Sequence, residues 1–195
     1  MGRPLSELTL EELWELFPIR LTEHQACWAE WYEEEKRRIE GFLSAGDMAL
    51  SHVGSTAIRG IWAKPIVDIL MEIPAEASME QVREKLVGNG HICMAESEGR
   101  MDFNRGYTSD GFAEKVFHLH LRCAGDNSEL YFRDYMNAHP EPAKEYEALK
   151  LGLWREFEHD RDGYTAAKTG LVMKYTEQAK REYPGRYARE KEHSC

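Results

Sequence analysis

An α+β chain, with N-terminal helices, a mixed sheet of about four or five strands and a C-terminal helical bundle, is what this sequence predicts. Three observations carry the prediction. Two apolar β-type runs, 48–53 and 66–73, flank a small-residue turn at Gly54-Ser55-Thr56. A third run, KVFHLHLRC at 115–123, alternates apolar and polar residues as a central strand does. Helical spacing of apolar residues fills the stretch before the first strand and most of the chain beyond 126.

Taken in order, residues 5–17, LSELTLEELWELF, predict a short amphipathic helix. Thr9 and Glu12 stand at capping-box spacing, Leu10, Leu13, Trp14 and Phe17 share one side, and Pro18 stops it. A longer helix is expected from Thr22 to about Ser44, with Thr22 and Gln25 as a second capping box. Its run 33–38, acids followed by bases, reads as a solvated face with i,i+4 pairs. Gly46-Asp47 turns into the first strand. Ser78 and Gln81 cap a helix over 78–87 that Gly88-Asn89-Gly90 closes. A third strand is expected at 91–95. The polar, Gly-containing stretch 96–111 predicts a loop or irregular hairpin. Helices are expected at 128–138, 140–158 and 164–183, with Pro140 near a start and Asp162-Gly163 separating the last two. The charged tail beyond Pro184 is expected to fray. One domain accommodates all of this: N-terminal helices at 1–45, an α/β core at 46–125, a bundle at 126–185 and a tail at 186–195.

The formal net charge of −10 argues against a nucleic-acid partner held on a broad basic face, though it leaves room for a local basic pocket. No apolar run is long enough to cross a bilayer, and the N-terminus lacks the apolar core of a signal peptide, so a cytoplasmic location is expected. Cys27, Cys93, Cys123 and Cys195 are scattered without a CxxC pair, which predicts reduced thiols and no structural zinc site.

The chemistry centres on Asp68. A carboxylate inside an apolar strand is costly unless a metal ion, a basic neighbour or the sheet rim supports it. The turn Gly54, Ser55 and Thr56 offers closely spaced backbone N–H groups and hydroxyls, a means of holding phosphate. A phosphate turn followed by a strand acid is the layout of a nucleotidyl-transfer site, the acid gripping a divalent metal. Two acids share such a metal best at i and i+2, about 6.6 Å apart. Here that partner position is Leu70, and Glu72 lies about 13 Å away on the same face. His118 and His120 share one strand face and, beside Asp68, would complete a mixed donor set suited to Mn²⁺ or Zn²⁺ rather than Mg²⁺. The plainer reading is one histidine hydrogen-bonded in the sheet and the other exposed. Lys64 either contacts a phosphate or, preceding Pro65, simply faces solvent. His52 is expected to pack.

The run HVGSTAIRGIWAKPIVDI resembles the GrpB-like family of the polymerase-β-type nucleotidyltransferase superfold. So do LYFRDYMNAHPEPAKEYEALK and YTAAKTGLVMKYTEQA further on, and LSELTLEELWELFPIRL resembles an N-terminal extension of some members. Arg59 departs from the family's usual proline and adds a cation there. The resemblance implies a nucleotidyltransferase-like fold. It also implies transfer of a nucleotidyl group from a nucleoside triphosphate to an unknown acceptor, with a divalent ion (Mg, Mn or Zn). Asp68 would be catalytic and would bind the metal with His118 and His120. Gly54, Ser55, Thr56, Lys64, Arg133, Lys150 and Lys168 would hold phosphate, the last three as a basic wall, against a plainer reading of helix-surface pairs. A degenerate module binding a nucleotide or other phosphorylated small molecule is the second expectation, and a metal-dependent hydrolase a third. Leu70 favours the second.

Overall fold

The computed structural model of the protein describes residues 3–43 and 48–188. The expected Gly46-Asp47 turn and the tail residues 189–195 lie outside the described residues. Strand β1 (Ala49–Val53) pairs antiparallel with β2 (Val67–Ile73), and β2 runs parallel to β5 (Gly111–Cys123). Strand β4 (Arg100–Thr108) joins β5 antiparallel and β3 (Ile92–Ser97) joins β4, giving a five-stranded mixed sheet in the order β1-β2-β5-β4-β3. This is the α+β layout with a mixed sheet of about four or five strands that the sequence predicts.

Of the loop or irregular hairpin expected at 96–111, the irregular hairpin forms, as part of a three-strand meander of β3, β4 and β5 with bulges. Met101 and Phe103 alternate into the core while Asp102 and Asn104 take the opposite face, so the stretch is one-sided rather than loop-like. A bulge between Arg105 and Tyr107 centres on Gly106, where φ is +89° and a Cβ would lie 2.3 Å from the Lys115 carbonyl. The extra residue turns Tyr107 onto the face of Asp102 and Asn104, which strict alternation would deny it.

One sheet face is apolar and carries helices. Helix α1 (Leu10–Leu16) precedes α2 (Cys27–Phe42), and α3 (Met79–Gly88) follows β2. Ile39 of α2 and Val82 and Leu86 of α3 pack on Met71, Phe103 and Leu121. Trp28 and Tyr32 cover Val67, Ile69 and Phe117. Burying these side chains supplies the main stabilisation of the layer, about 1.5–3 kcal/mol for each large apolar group. The opposite face bears Asp68, His118, His120 and Asp102 and turns toward α4 (Ser128–Ala138), α5 (Pro140–Glu156) and α6 (Arg161–Glu182). There Leu70 packs with Val53 and Leu130, which is what occupies the missing second acid's position.

Several boundaries differ from expectation for local reasons. The Thr9–Glu12 capping box forms, with bonds of 3.2 and 2.8 Å, but Leu5–Glu7 is a separate 3-10 turn and the helix is shorter than 5–17. Thr22 spends its backbone groups on Ala63, at 2.9 and 3.0 Å, so it caps nothing and α2 starts at Cys27. Asp160 accepts from the Gly163 amide at 2.8 Å, which places Asp162-Gly163 in the first turn of α6 rather than between helices. Tyr187, expected in a frayed tail, donates its amide to the Tyr131 hydroxyl at 3.2 Å. Among the described residues no helix is long and apolar enough to cross a membrane, and Cys27, Cys93 and Cys123 are free thiols.

The run 33–38 is not wholly solvated. Glu35 is 2 % exposed and accepts from Arg38 at 2.7 Å and Arg105 at 2.5 Å, with His91 at 3.3 Å. Burial opposes its charge, but hydrogen bonds from His91 and Arg38 and the Arg105 charge prevail and hold its carboxyl down at about 2. Its folded value lies below its ordinary value of 4.5, so its contribution is full above that pH and is lost as pH falls through about 2. Glu35→Ala is expected to cost about 2–3 kcal/mol at neutral pH, somewhat under a fully buried pair because both arginines keep contact with water. Urea unfolding checks this, and the deficit should shrink toward zero in acid. A variant as stable as wild type at neutral pH would contradict it.

Candidate functional site

The site grows from Asp68 of β2, two histidines of the neighbouring β5 and the turn between β1 and β2. Gly54 sits at φ +69° and ψ −169°, a region essentially reserved for glycine. A Cβ there would fall 2.2 Å from Asp68 Oδ2, so the turn and the carboxylate share one space. Ser55–Ala57 then form a single 3-10 turn. Ser55 Oγ lies 3.2 Å from the Tyr146 hydroxyl. Thr56 is buried, with its Oγ1 2.9 Å from His52 Nε2, so its hydroxyl is engaged within the protein. His52 stacks on Tyr32 and packs, as expected.

Parallel pairing sets Asp68 opposite His118 and Leu70 opposite His120, and antiparallel pairing sets His120 opposite Asp102. Both imidazoles approach one oxygen: Asp68 Oδ1 is 3.3 Å from His118 Nδ1 and 3.4 Å from His120 Nε2. The remaining ring nitrogens have partners that fix their roles. His120 Nδ1 donates to Asp102 Oδ1 at 2.8 Å, and Asp102 also accepts from Arg122 at 2.7 Å. His118 Nε2 accepts from the Tyr107 hydroxyl at 2.8 Å, and the Tyr107 oxygen accepts from Arg161 at 2.8 Å. These partners assign His120 as a cation with two N–H donors and His118 as a neutral ring.

Electrostatics agrees. Burial opposes charge on His120, but hydrogen bonds to Asp102 and Asp68 win and raise it to about 9. For His118 burial prevails over Asp68 and its pKa falls. Burial also opposes ionisation of Asp68, yet the two histidines hold its carboxyl well below the usual range. Asp102 is held at about 2, burial being outweighed by His120 and Arg122.

Across from this cluster stand the lysines. A cavity of about 260 Å³ is bounded by Gly54, Ser55 and the Asp68 cluster on the sheet side and by Tyr146, Lys150 and Lys168 on the helical side, with Lys64 between them. Lys150 is buried and donates to the Trp62 carbonyl. Lys64 and Lys168 both lie over the Tyr164 ring, at 5.6 and 4.3 Å from its centre. Neither donates a hydrogen bond to an acceptor among the described residues. The Tyr164 hydroxyl, on a side chain only 1 % exposed, is also unpartnered there. Burial, with neighbouring cations, pushes Lys64 and Lys150 down to about 7, and burial brings Lys168 to about 8.

Of the residues singled out by sequence, Gly54, Ser55, Lys64, Asp68, His118, His120, Lys150 and Lys168 therefore meet at one cavity. Arg133 does not: its guanidinium is engaged with Asp134 at 2.7 Å, the His52 carbonyl at 3.0 Å and the Tyr187 hydroxyl at 3.3 Å. Arg59 lies at a separate pocket with His24 and His52. Asp102, Tyr107 and Arg161 went unpredicted because two of them sit in the stretch taken for a loop. The Met101–Phe103 alternation is the signal that would have put Asp102 on a strand face. Among the described residues no group of three or more His, Cys, Asp or Glu side chains is placed to hold a metal ion. His120 shares its two ring N–H groups with Asp68 and Asp102, so a divalent ion would have to displace a proton to gain either nitrogen.

Because the His120 pKa is raised, its contribution to stability is full below its ordinary value of 6.5 and is lost as pH rises through about 9. NMR titration is expected to find His120 protonated well above neutrality and His118 neutral. Asp102→Asn should bring His120 back toward 6.5. An unshifted His120 in the wild-type protein would contradict the assignment.

With the geometry in place, comparison with known proteins gives a consistent answer. The sequence pattern of the family described as GrpB protein matches residues 18–178. The chain is 34 % identical over 160 residues to the glutamate-rich protein GrpB of Alkalihalophilus pseudofirmus, covering 79 % of this chain and 91 % of that protein. It is 32 % identical over 185 residues to UPF0157 protein YqkA of Bacillus subtilis; that match takes in 91 % of this chain but only about half, 52 %, of YqkA. The crystal structure of conserved protein GrpB from Enterococcus faecalis superposes with a TM-score of 0.73 at 25 % identity, over 84 % of this chain and 99 % of that one. The chain belongs to the GrpB family.

Proposed function

We propose that the cavity binds a nucleotide or other phosphorylated small molecule through its lysines, in the manner of a nucleotidyltransferase-like site that works here without a metal. The observation that carries this reading is the surplus of cations at one cavity, Lys150 buried and Lys64, Lys168 and His120 half-buried. Lys64, Lys150, Lys168 and the His120 imidazolium surround one cavity carboxylate, and two of the ammonium groups plus the Tyr164 hydroxyl have no internal acceptor. Desolvated cations with unspent donors are costly in a closed protein and favourable around an anion. Gly54 leaves the backbone open for close approach, and Ser55 and Tyr146 add hydroxyls at the same wall. A phosphate carries enough acceptor oxygens to satisfy all of these donors together.

Nucleotidyl transfer to an acceptor is the second reading. The observation favouring it is the Asp102–His120–Asp68 chain, which ends in the cavity and links two carboxylates through one ring. In such a reaction an acceptor hydroxyl gives its proton to Asp68 as its oxygen bonds to the α-phosphorus, the bond from that phosphorus to the β-phosphate oxygen breaks and pyrophosphate leaves, while the lysines stabilise charge on the departing oxygens.

Calorimetric titration with pyrophosphate and with ATP, GTP, CTP and UTP, each with and without Mg²⁺ or Mn²⁺, separates the two. The expected result is binding that needs no metal. Lys64→Ala and Lys168→Ala should each weaken it about tenfold or more, the value of a charge-assisted bond. Asp68→Asn removes a negative charge from the cavity and should leave metal-free affinity unchanged or increased. Binding that requires a metal and vanishes in Asp68→Asn would transfer support to the second reading. No binding of any phosphate compound would overturn both.

The lysines also fix a pH response. Their folded values of about 7 to 8 mean that positive charge in the cavity falls as pH rises through that range. Sulfate, whose own charge is constant there, is expected to bind progressively more weakly from about pH 6 to about pH 9. A flat profile would contradict the role given to these groups.

A further inference from the structure

A second chamber of about 440 Å³ adjoins the site cavity, and Lys64, His118 and Thr165 line both. Its character is different. Leu10, Leu13 and Trp14 of α1 form one part of the lining, and Ile92 and Met94 of β3 another. These side chains are poorly covered: Leu10 is 54 % exposed, Ile92 40 % and Met94 57 %. Helix α1 has an apolar face but buries none of its own residues. Leu13 and Trp14 are half-buried and Leu10 is exposed, so part of the helix's apolar side is left available to something else.

Charge runs in the same direction as this change in polarity. The chamber is apolar at the α1 and β3 end, while Lys64, Arg161 and one carboxylate, Asp162, stand in its lining, Arg161 being tied to the Tyr107 hydroxyl beside His118. Alone, the site cavity of about 260 Å³ is under the roughly 300–1,000 Å³ usual for small-molecule sites; joined with the chamber it falls within it. The family match begins at residue 18, so the α1 wall lies outside the matched region.

We infer that the ligand is an amphiphile: its phosphorylated head sits among the lysines and its apolar body occupies the chamber between α1 and β3. This rests on the anion-binding reading of the lysine cavity and adds to it the chemical class of the rest of the ligand. Lys64, common to both spaces, stands at the junction of head and body.

Calorimetry with straight-chain alkyl phosphates from methyl to hexyl, beside pyrophosphate, tests it. Once the chain reaches the chamber, affinity should rise about fourfold per added methylene, the value of burying one such group. Leu10→Asp and Met94→Asp sit at exposed positions that the fold does not need, so both variants should fold. Each is expected to flatten the series while leaving pyrophosphate binding unchanged. Pyrophosphate binding with a flat wild-type series would overturn the chamber assignment and leave the lysine site standing. Failure of every phosphate compound to bind would overturn both. If sedimentation shows wild type to dimerise and Met94→Asp to be monomeric, with a flat series, a second copy covers the chamber and the inference is overturned.

Discussion

The Asp68 carboxylate, seated in the space that Gly54 leaves by having no side chain, is the constraint on which the rest of the structure depends. It fixes the turn, because any Cβ at position 54 would collide with it. It fixes both histidines, because their ring nitrogens converge on one of its oxygens. A buried negative charge of this kind needs compensation, and the fold provides it from three directions: the β5 imidazoles, the loop lysine Lys64 and the helical Lys150 and Lys168. The supply exceeds the need. That excess, rather than the carboxylate itself, is what the proposed anion-binding role rests on.

The sheet makes this arrangement with ordinary means. Parallel pairing of β2 with β5 brings 68 and 118 level, and the two-residue repeat puts Asp68, His118 and His120 on one face while Ile69, Leu119 and Leu121 fill the core on the other. Leu70 shows the consequence of losing an acid at i+2. It joins Val53 and Leu130 in a small apolar cluster, while the positive charge beside Asp68 comes from the His120 imidazolium, itself held by Asp102. The Gly106 bulge completes the cluster by delivering Tyr107 to His118. A site built this way has its polar demands met between carboxylates and rings, leaving the ammonium groups as its reactive surface toward solvent.

Much of this was legible in the chain. Apolar alternation at 66–73 and 115–123 marked the two central strands, and an acid among β-branched residues marked Asp68 as a group requiring a partner. Lysines 64, 150 and 168 were identified from motif positions far apart in sequence and meet at one cavity. Arg133 shares the same motif yet serves as a clamp between α4 and the end of β1, because its neighbours Asp134 and Tyr187 lie closer than the cavity does. What stayed hidden were contacts created only by folding. Asp102 looks like a loop acid until the β4 register sets it beside His120. Glu35 looks like one of several surface acids until Arg105, from the other end of the chain's middle third, reaches it. Composition could not separate them, because a charged residue on a half-buried face and one in solvent have the same sequence signature.

The claim that a surplus of lysine charge makes this cavity an anion site is tested most directly by crystals of the protein soaked in tungstate and examined by anomalous scattering. The account predicts a peak inside the cavity, with tungstate oxygens about 2.8 Å from the ammonium nitrogens of Lys64 and Lys168. Tungstate found only on the outer surface, with the cavity holding water alone, would contradict it.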